Sequence, residues 1–177
     1  MPEEIRFIPI GVAHTSASDD EIRDKGKELE FTIDLFPEFK EALDGIDGFS
    51  HLIVIFHFNK LRPEQKGVLK VKPKKFLRRG LTLDQLPSLG VFALDSPSRP
   101  NPIGFSVVRF LAHDGLRLKV KGLEAFDGTP VLDIKPYTPE RVVAEIEVPR
   151  WYSDLDRMAD GEAPSRVHGQ TFLQSTH

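Results

Sequence analysis

At 177 residues, with 40% hydrophobic and 29% charged side chains, the chain has the composition of an ordinary globular protein, long enough for one domain with a proper core plus a short extension. It contains no cysteine, which excludes disulfides, thiolate metal ligands and a cysteine nucleophile, and its longest apolar run, Leu52 to Phe56, is far too short for a membrane span. A net charge of −3 argues against a dedicated polyanion binder unless its cations cluster, and the acidic start lacks the basic and apolar regions of an export signal, so a cytoplasmic protein with no membrane partner is expected.

In chain order, Ile5 to Ala13 alternates loosely through Ile5, Phe7, Ile10 and Val12 and predicts a first strand, followed by a polar connector from His14 to Lys27. Glu28 to Asp34 alternates strictly, with Leu29, Phe31 and Ile33 on one face, as a half-buried strand does. Pro37 opens a short helix through Leu43, closed by Gly45 and Gly48. The strongest strand is Ser50 to Asn59: Leu52, Val54, Phe56 and Phe58 line one face and Ile53 and Ile55 the other, so it belongs in the middle of a sheet. His57 and Asn59 share a face near its exit, either as satisfied rim residues or as the edge of a pocket; no further ligand at metal spacing lies nearby, so no metal site is expected.

Lys66 to Arg79 carries seven cations and no acid. Gly67 to Val71 alternates as a strand, and Lys70, Lys72, Lys74, Lys75, Arg78 and Arg79 form either a solvated face or a stripe that contacts RNA phosphates. Leu81 to Leu89 predicts a turn or short helix. The stretch Gly90 to Ser106 follows, G-V-F-A-L-D-S-P-S-R-P-N-P-I-G-F-S, where Pro97, Pro100 and Pro102 stiffen a loop that displays Ser96, Ser98, Arg99 and Asn101, and Gly104 allows a close approach. Such a loop suits a rigid crossover or a ligand grip equally.

Beyond it, Ile103 to Ala112 and Leu116 to Gly122 predict a hairpin around His113-Asp114-Gly115, with Leu116, Leu118 and Val120 facing in. A second Asp-Gly turn, Asp127-Gly128, leads into a strand from Thr129 to Lys135. Glu140 to Val148 reads as a further strand or a helix, with the alternation at Ala144 to Val148 favouring a strand, after which Trp151, Tyr152 and Leu155 dock and the end, from Asp160, frays. The class predicted is mainly β: a single-domain antiparallel β-barrel over residues 1–139 with one or two short helices, followed by a C-terminal extension, 140–177.

The run S-P-S-R-P-N-P-I-G-F-S resembles the signature loop of the TrmO family, also called YaeB-like or TsaA-like, whose usual wording is close to F-A-T-R-S-P-x-R-P-N-P-I-G-L-S. P-I-G-V-A-H-T, F-S-H-L-I-V-I-F-H-F and D-G-T-P-V-L-D-I-K-P-Y resemble further family blocks in the same order, from Phe7 to Pro139. The resemblance implies a β-barrel, a homodimer, S-adenosyl-L-methionine as methyl donor, and N6-methylation of threonylcarbamoyladenosine beside the anticodon of tRNA. It assigns donor contacts to Asp127, Gly128, Thr129 and Pro130, to Phe105 at the position of the family's Leu, and to Asn59 and Lys60, with Ser96, Pro97, Arg99, Pro100, Asn101, Pro102 and Gly104 shaping the pocket. Asp95 stands where the family has Arg, Asn59 where it commonly has His, and Ile22-Arg23-Asp24 is the nearest match to its P-R-Q. Methyl transfer from a sulfonium is mainly a matter of alignment, so no triad is expected, and His57, Asp95 and Asp127 all remain open as the base. A non-catalytic small-molecule-binding barrel, and a methyltransferase acting on a different acceptor, suit the same residues.

Overall fold

In a computed structural model, residues 4–162 are described. They contain a closed six-stranded antiparallel barrel. Its strands are β1 (Gly11–His14), β2 (Glu30–Leu35), β3 (His51–His57), β6 (Ile103–Asp114), β7 (Arg117–Lys121) and β8 (Thr129–Pro136), in the order β1-β2-β7-β6-β3-β8. The strands β4 (Lys70–Val71) and β5 (Leu89–Gly90) form a separate two-stranded sheet. No helix among the described residues is long and apolar enough to cross a membrane.

The alternation read from the sequence sets which side chains fill the barrel. Leu52, Val54 and Phe56 of β3 point inward, as do Phe31 and Ile33 of β2, Val108 of β6, Leu118 and Val120 of β7 and Val131 of β8, all nearly fully buried. β3 pairs with β6 on one side and β8 on the other, and Ile53 on its outer face is buried as well as the inward residues. Gly104 sits opposite Phe56, and a Cβ there would come within 2.2 Å of the Phe56 ring. The glycine of the signature loop therefore leaves the space that the Phe56 ring fills. Among the described residues no buried side-chain nitrogen or oxygen lacks a partner, so the interior is a packed core without a waiting polar site.

Four local predictions need correction. The first strand begins only at Gly11; residues 5–8 are exposed. The polar connector contains a helix, α1 (Asp19–Lys25), nucleated by a capping box: the Glu21 N–H donates to Ser18 Oγ (3.3 Å) and the Ser18 N–H to Glu21 Oε2 (2.8 Å). The Ser18 amide holds the Glu21 carboxyl below its usual range, and Ile22, the one buried residue of α1, joins the barrel core. Gly67–Val71 contributes only Lys70–Val71 to a strand. Ala144 to Val148 is irregular, because its alternating side chains are exposed and no neighbouring strand pairs with them among the described residues. Pro37–Leu43 is helical as expected, but of the tighter 3-10 form.

The chain divides into two compact units. One comprises residues up to Val71 together with Gly90–Val143, and holds the barrel; the other comprises Lys72–Leu89 and residues from Ala144 on. The second has its own small core, in which Leu155 of helix α2 (Arg150–Ala159) is buried with Phe76, Leu81 and Leu86, and Trp151 and Met158 pack against them. Trp151 and Leu155 lie on a helix that the sequence reading does not predict; the fraying it expects from Asp160 on falls mostly on 163–177, outside the described residues.

Candidate functional site

Since the barrel is filled, binding chemistry belongs on its rim or outer wall. The turn before β8 is the most organised polar feature there. Gly128 adopts φ 77°, a left-handed conformation that favours glycine, and its N–H donates to the Ala13 carbonyl (2.9 Å). Asp127 Oδ1 accepts from the Thr15 N–H (3.1 Å) and lies 3.3 Å from His14 Nδ1. The Thr15 amide, then His14 and Lys60, hold the Asp127 carboxyl below its usual range against a partial desolvation, so it is charged at neutral pH, and the side chain is still 53% exposed. One carboxylate oxygen is occupied by the protein; the other carries no protein bond among the described residues.

Two consecutive residues at the exit of β3 gather the motifs. The Phe58 N–H donates to the Pro102 carbonyl of the signature loop (2.8 Å), and Asn59 Nδ2 donates to the Gly128 carbonyl of the turn (3.2 Å). Asn59 Oδ1 also receives the Thr129 hydroxyl at 3.5 Å. Thr129 is 2% exposed, so it points into the barrel and anchors the turn from within. Above the neighbouring Phe126 ring stand two cations, Arg23 of α1 with its guanidinium carbon 5.0 Å from the centroid and Lys60 with Nζ at 5.4 Å; Lys60 also lies 3.5 Å from Asp19, and Arg23 pairs with Asp20.

The remaining predicted residues separate into two groups. In the signature loop Arg99 donates to the carbonyls of Leu94 (3.1 Å) and Ser96 (3.3 Å), the Ser98 N–H donates to Ser96 Oγ, and Ser98 is buried; these residues brace the loop itself. Pro100, Asn101 and Asp95 are exposed, and Asp95 makes no ion pair among the described residues. Phe105 stands on the outer wall of β6, 61% exposed, between Ile103 and Val107, which are also exposed. Of the basic stripe, Lys72 Nζ donates to the Leu83 carbonyl, Lys75 Nζ to the Tyr152 hydroxyl (3.0 Å), and Arg79 binds Asp156 and Asp160, which raises the Arg79 pKa; these three hold the second unit together. Lys70 and Lys74 are exposed.

Sequence reasoning missed His14. Its signal was the H-T that ends the first family block, placed by β1 beside the Asp-Gly turn through the pairing Ala13 with Thr129. A surface depression of about 320 Å³ near Asp34, Leu116 and Arg117 lies away from this cluster, and its charged residues are already paired: Arg117 Nε donates to Asp34 Oδ1 at 2.8 Å.

The rim turn of the filled antiparallel barrel thus gathers a fixed carboxylate, an amide and two cations, which makes it the candidate site. The chain belongs to the TrmO family: the model of the tRNA-methyltransferase O N-terminal domain matches residues 22–141. It is 42% identical over 149 residues to a "Probable S-adenosyl-L-methionine-binding protein" of Pyrococcus abyssi, covering 82% of this chain and 74% of that protein. It is also 42% identical over 108 residues to an S-adenosyl-L-methionine-binding protein of Archaeoglobus fulgidus, covering 61% of this chain and 69% of that one. A crystal structure of TrmO superposes with a TM-score of 0.64 at 33% identity, over 82% of this chain but 64% of the TrmO chain, so this protein spans less than two thirds of that structure.

Proposed function

We propose that the chain is an S-adenosyl-L-methionine-dependent methyltransferase acting on N6 of threonylcarbamoyladenosine beside the anticodon of tRNA. The observation that carries this is the rim turn: a charged Asp127 with one oxygen fixed by Thr15 and His14 and the other turned to solvent, beside Asn59, Lys60 and Arg23. A carboxylate that accepts, beside two cations over the adjoining Phe126 ring that are paired with Asp19 and Asp20 and would have to exchange those partners, matches a ligand bearing an ammonium, a carboxylate and ribose hydroxyls. The donor supplies an electrophilic methyl group on a sulfonium. The protein's task is then alignment: Asp127 takes the donor's amine or hydroxyls, and Arg23 and Lys60 supply the positive charge that Asp95 cannot. Asp127 also orients the His14 imidazole, which we assign as the group that takes the N6 proton.

The exposed row Ile103, Phe105 and Val107 supports a homodimer formed through the outer wall of β6. Phe105→Asp is then expected to give a folded monomer by sedimentation.

Calorimetric titration with S-adenosylmethionine and its demethylated product, followed by methyl transfer to tRNA lacking the modification, tests the reading. Saturable micromolar binding and transfer are expected; a folded protein that binds neither compound sinks it. A second reading, a barrel that binds a different small molecule without catalysis, is favoured by Asp95 at the family's Arg position. Asp95→Arg strengthens donor binding if the family geometry holds and leaves it unchanged on the second reading.

A further inference from the structure

We infer that the outer wall of the barrel carries a seat for the phosphate backbone of a nucleic-acid strand, formed by Lys121 of β7, Arg109 of β6, and His51 with Tyr137 at the β3 to β8 edge; this inference rests on the RNA-methyltransferase reading above. Strand register makes the row. Lys121 lies opposite Arg109, Arg109 opposite His51, and the Tyr137 N–H donates to the His51 carbonyl (3.2 Å). All point outward because their strand neighbours Val120, Val108 and Leu52 are buried in the core. With strands about 4.8 Å apart, the row crosses the wall as a continuous line of donors.

The charges of this row are unusual for a sheet. Elsewhere on β7, Arg117 pairs with Asp34 (2.8 Å) and Lys119 with Glu30 (2.9 Å). Arg109 and Lys121 face each other directly across an antiparallel pair, and neither makes an ion pair among the described residues. The carboxylate in register with Lys121, that of Glu30, is hydrogen-bonded by Lys119, which holds it below its usual range first, with Lys121 attracting it only through space. Like charges placed opposite one another repel unless an anion lies between them. At the end of the row, His51 Nδ1 is fixed 2.9 Å from Ser50 Oγ, and its ring meets Tyr137 edge-on at 6.5 Å, so an aromatic surface adjoins the cations, as in sites that take a base and its phosphate together.

The row also begins at the site. Glu30 pairs in register with Lys121, its carbonyl accepts from Thr15 Oγ1 (3.2 Å), and the Thr15 N–H donates to Asp127. A strand lying on Arg109 and Lys121 therefore leads toward the rim turn. By contrast, Lys72, Lys75 and Arg79 of the sequence-predicted stripe are already bonded within their own unit.

The test is fluorescence anisotropy of the full chain with a labelled 12-nucleotide oligouridylate across a salt series, with S-adenosylmethionine affinity measured on the same proteins. R109Q/K121Q is expected to weaken oligonucleotide binding about tenfold at low salt and to reduce the slope of log K against log salt by about 1.4, while donor affinity stays unchanged. K72Q/K75Q, which removes the same charge elsewhere, is expected to change binding less than twofold. Equal losses in the two double variants, no loss in R109Q/K121Q, or competition by polyglutamate as effective as that by unlabelled oligonucleotide overturns the inference. Failure of the wild-type protein to bind donor, with the oligonucleotide result intact, overturns the methyltransferase reading and leaves the seat standing.

Discussion

Gly104 and Asp127 belong to two blocks of one family pattern, yet one faces a filled core and the other faces solvent. Gly104 is needed because the Phe56 ring occupies the space of its Cβ. Asp127 is held by the Thr15 amide and His14 at the rim, with its carboxylate half exposed. The same division runs through each block: Ser98, Ser106 and Thr129 are buried, whereas Asn101, Phe105 and Asp127 are exposed. Where a family block runs along a strand, as at Phe105 and Ser106 of β6, successive side chains point to opposite sides of the wall, so one packs in the core and the next faces out.

The sharpest way to break this comparison is Gly104→Ala. Overpacking against Phe56 is expected to cost about 3 kcal/mol in urea unfolding, whereas Gly90→Ala, with nothing within 4 Å of its added Cβ, is expected to be close to neutral. If both cost the same, the glycine serves the loop and not the core. In the second, smaller core, Leu155→Ala is expected to cost about 2 kcal/mol, read as lost hydrogen-exchange protection over Arg150–Ala159. On the recognition side, Asp127→Asn is expected to weaken S-adenosylmethionine binding about tenfold, roughly 1.4 kcal/mol, with little change in melting temperature; a large loss of stability instead would assign Asp127 to packing.

The smallest effects are titrations. Because the Thr15 amide and His14 lower the Asp127 pKa, the charged turn contributes stability above the ordinary value near 3.8 and loses it as pH falls through the lower folded value. The Thr15 amide shift in NMR should report that step, and D127N should abolish it. At the rim of the β6–β7 hairpin the sign reverses. His113 Nε2, 3.2 Å from Asp47 Oδ2, has a raised pKa, through Asp47 first and the Gly115 carbonyl second. Its contribution is complete below about 6.5 and is lost as pH rises through the folded value, so D47N should bring the His113 titration back toward 6.5.

Strict alternation in Glu28–Asp34 and Ser50–Asn59, the two Asp-Gly turns, and the family blocks were enough to read the barrel class, the inward faces of β2 and β3, the 116–120 inward face and the Asp127 turn from the chain itself. These features rest on period and local turn chemistry, which a linear sequence carries. Even α1 was legible in principle, through Ser18 and Glu21 at capping-box spacing. Other features depended on partners distant in the chain. The β-like alternation of Ala144–Val148 formed no strand, since a strand needs a neighbour and none is supplied among the described residues. Lys72, Lys75 and Arg79 looked available until Leu83, Tyr152 and Asp156 were brought to them. His14 acquired a role only when β1 placed it against Asp127, 113 positions away, and Arg109 met Lys121 only through the β6–β7 register. Period and turn chemistry determined the inward faces of β2, β3 and β7; only tertiary structure decided which alternating runs found a neighbouring strand and which polar groups meet, because pairing, charge and hydrogen bonding act through distances in space that the order of residues does not contain.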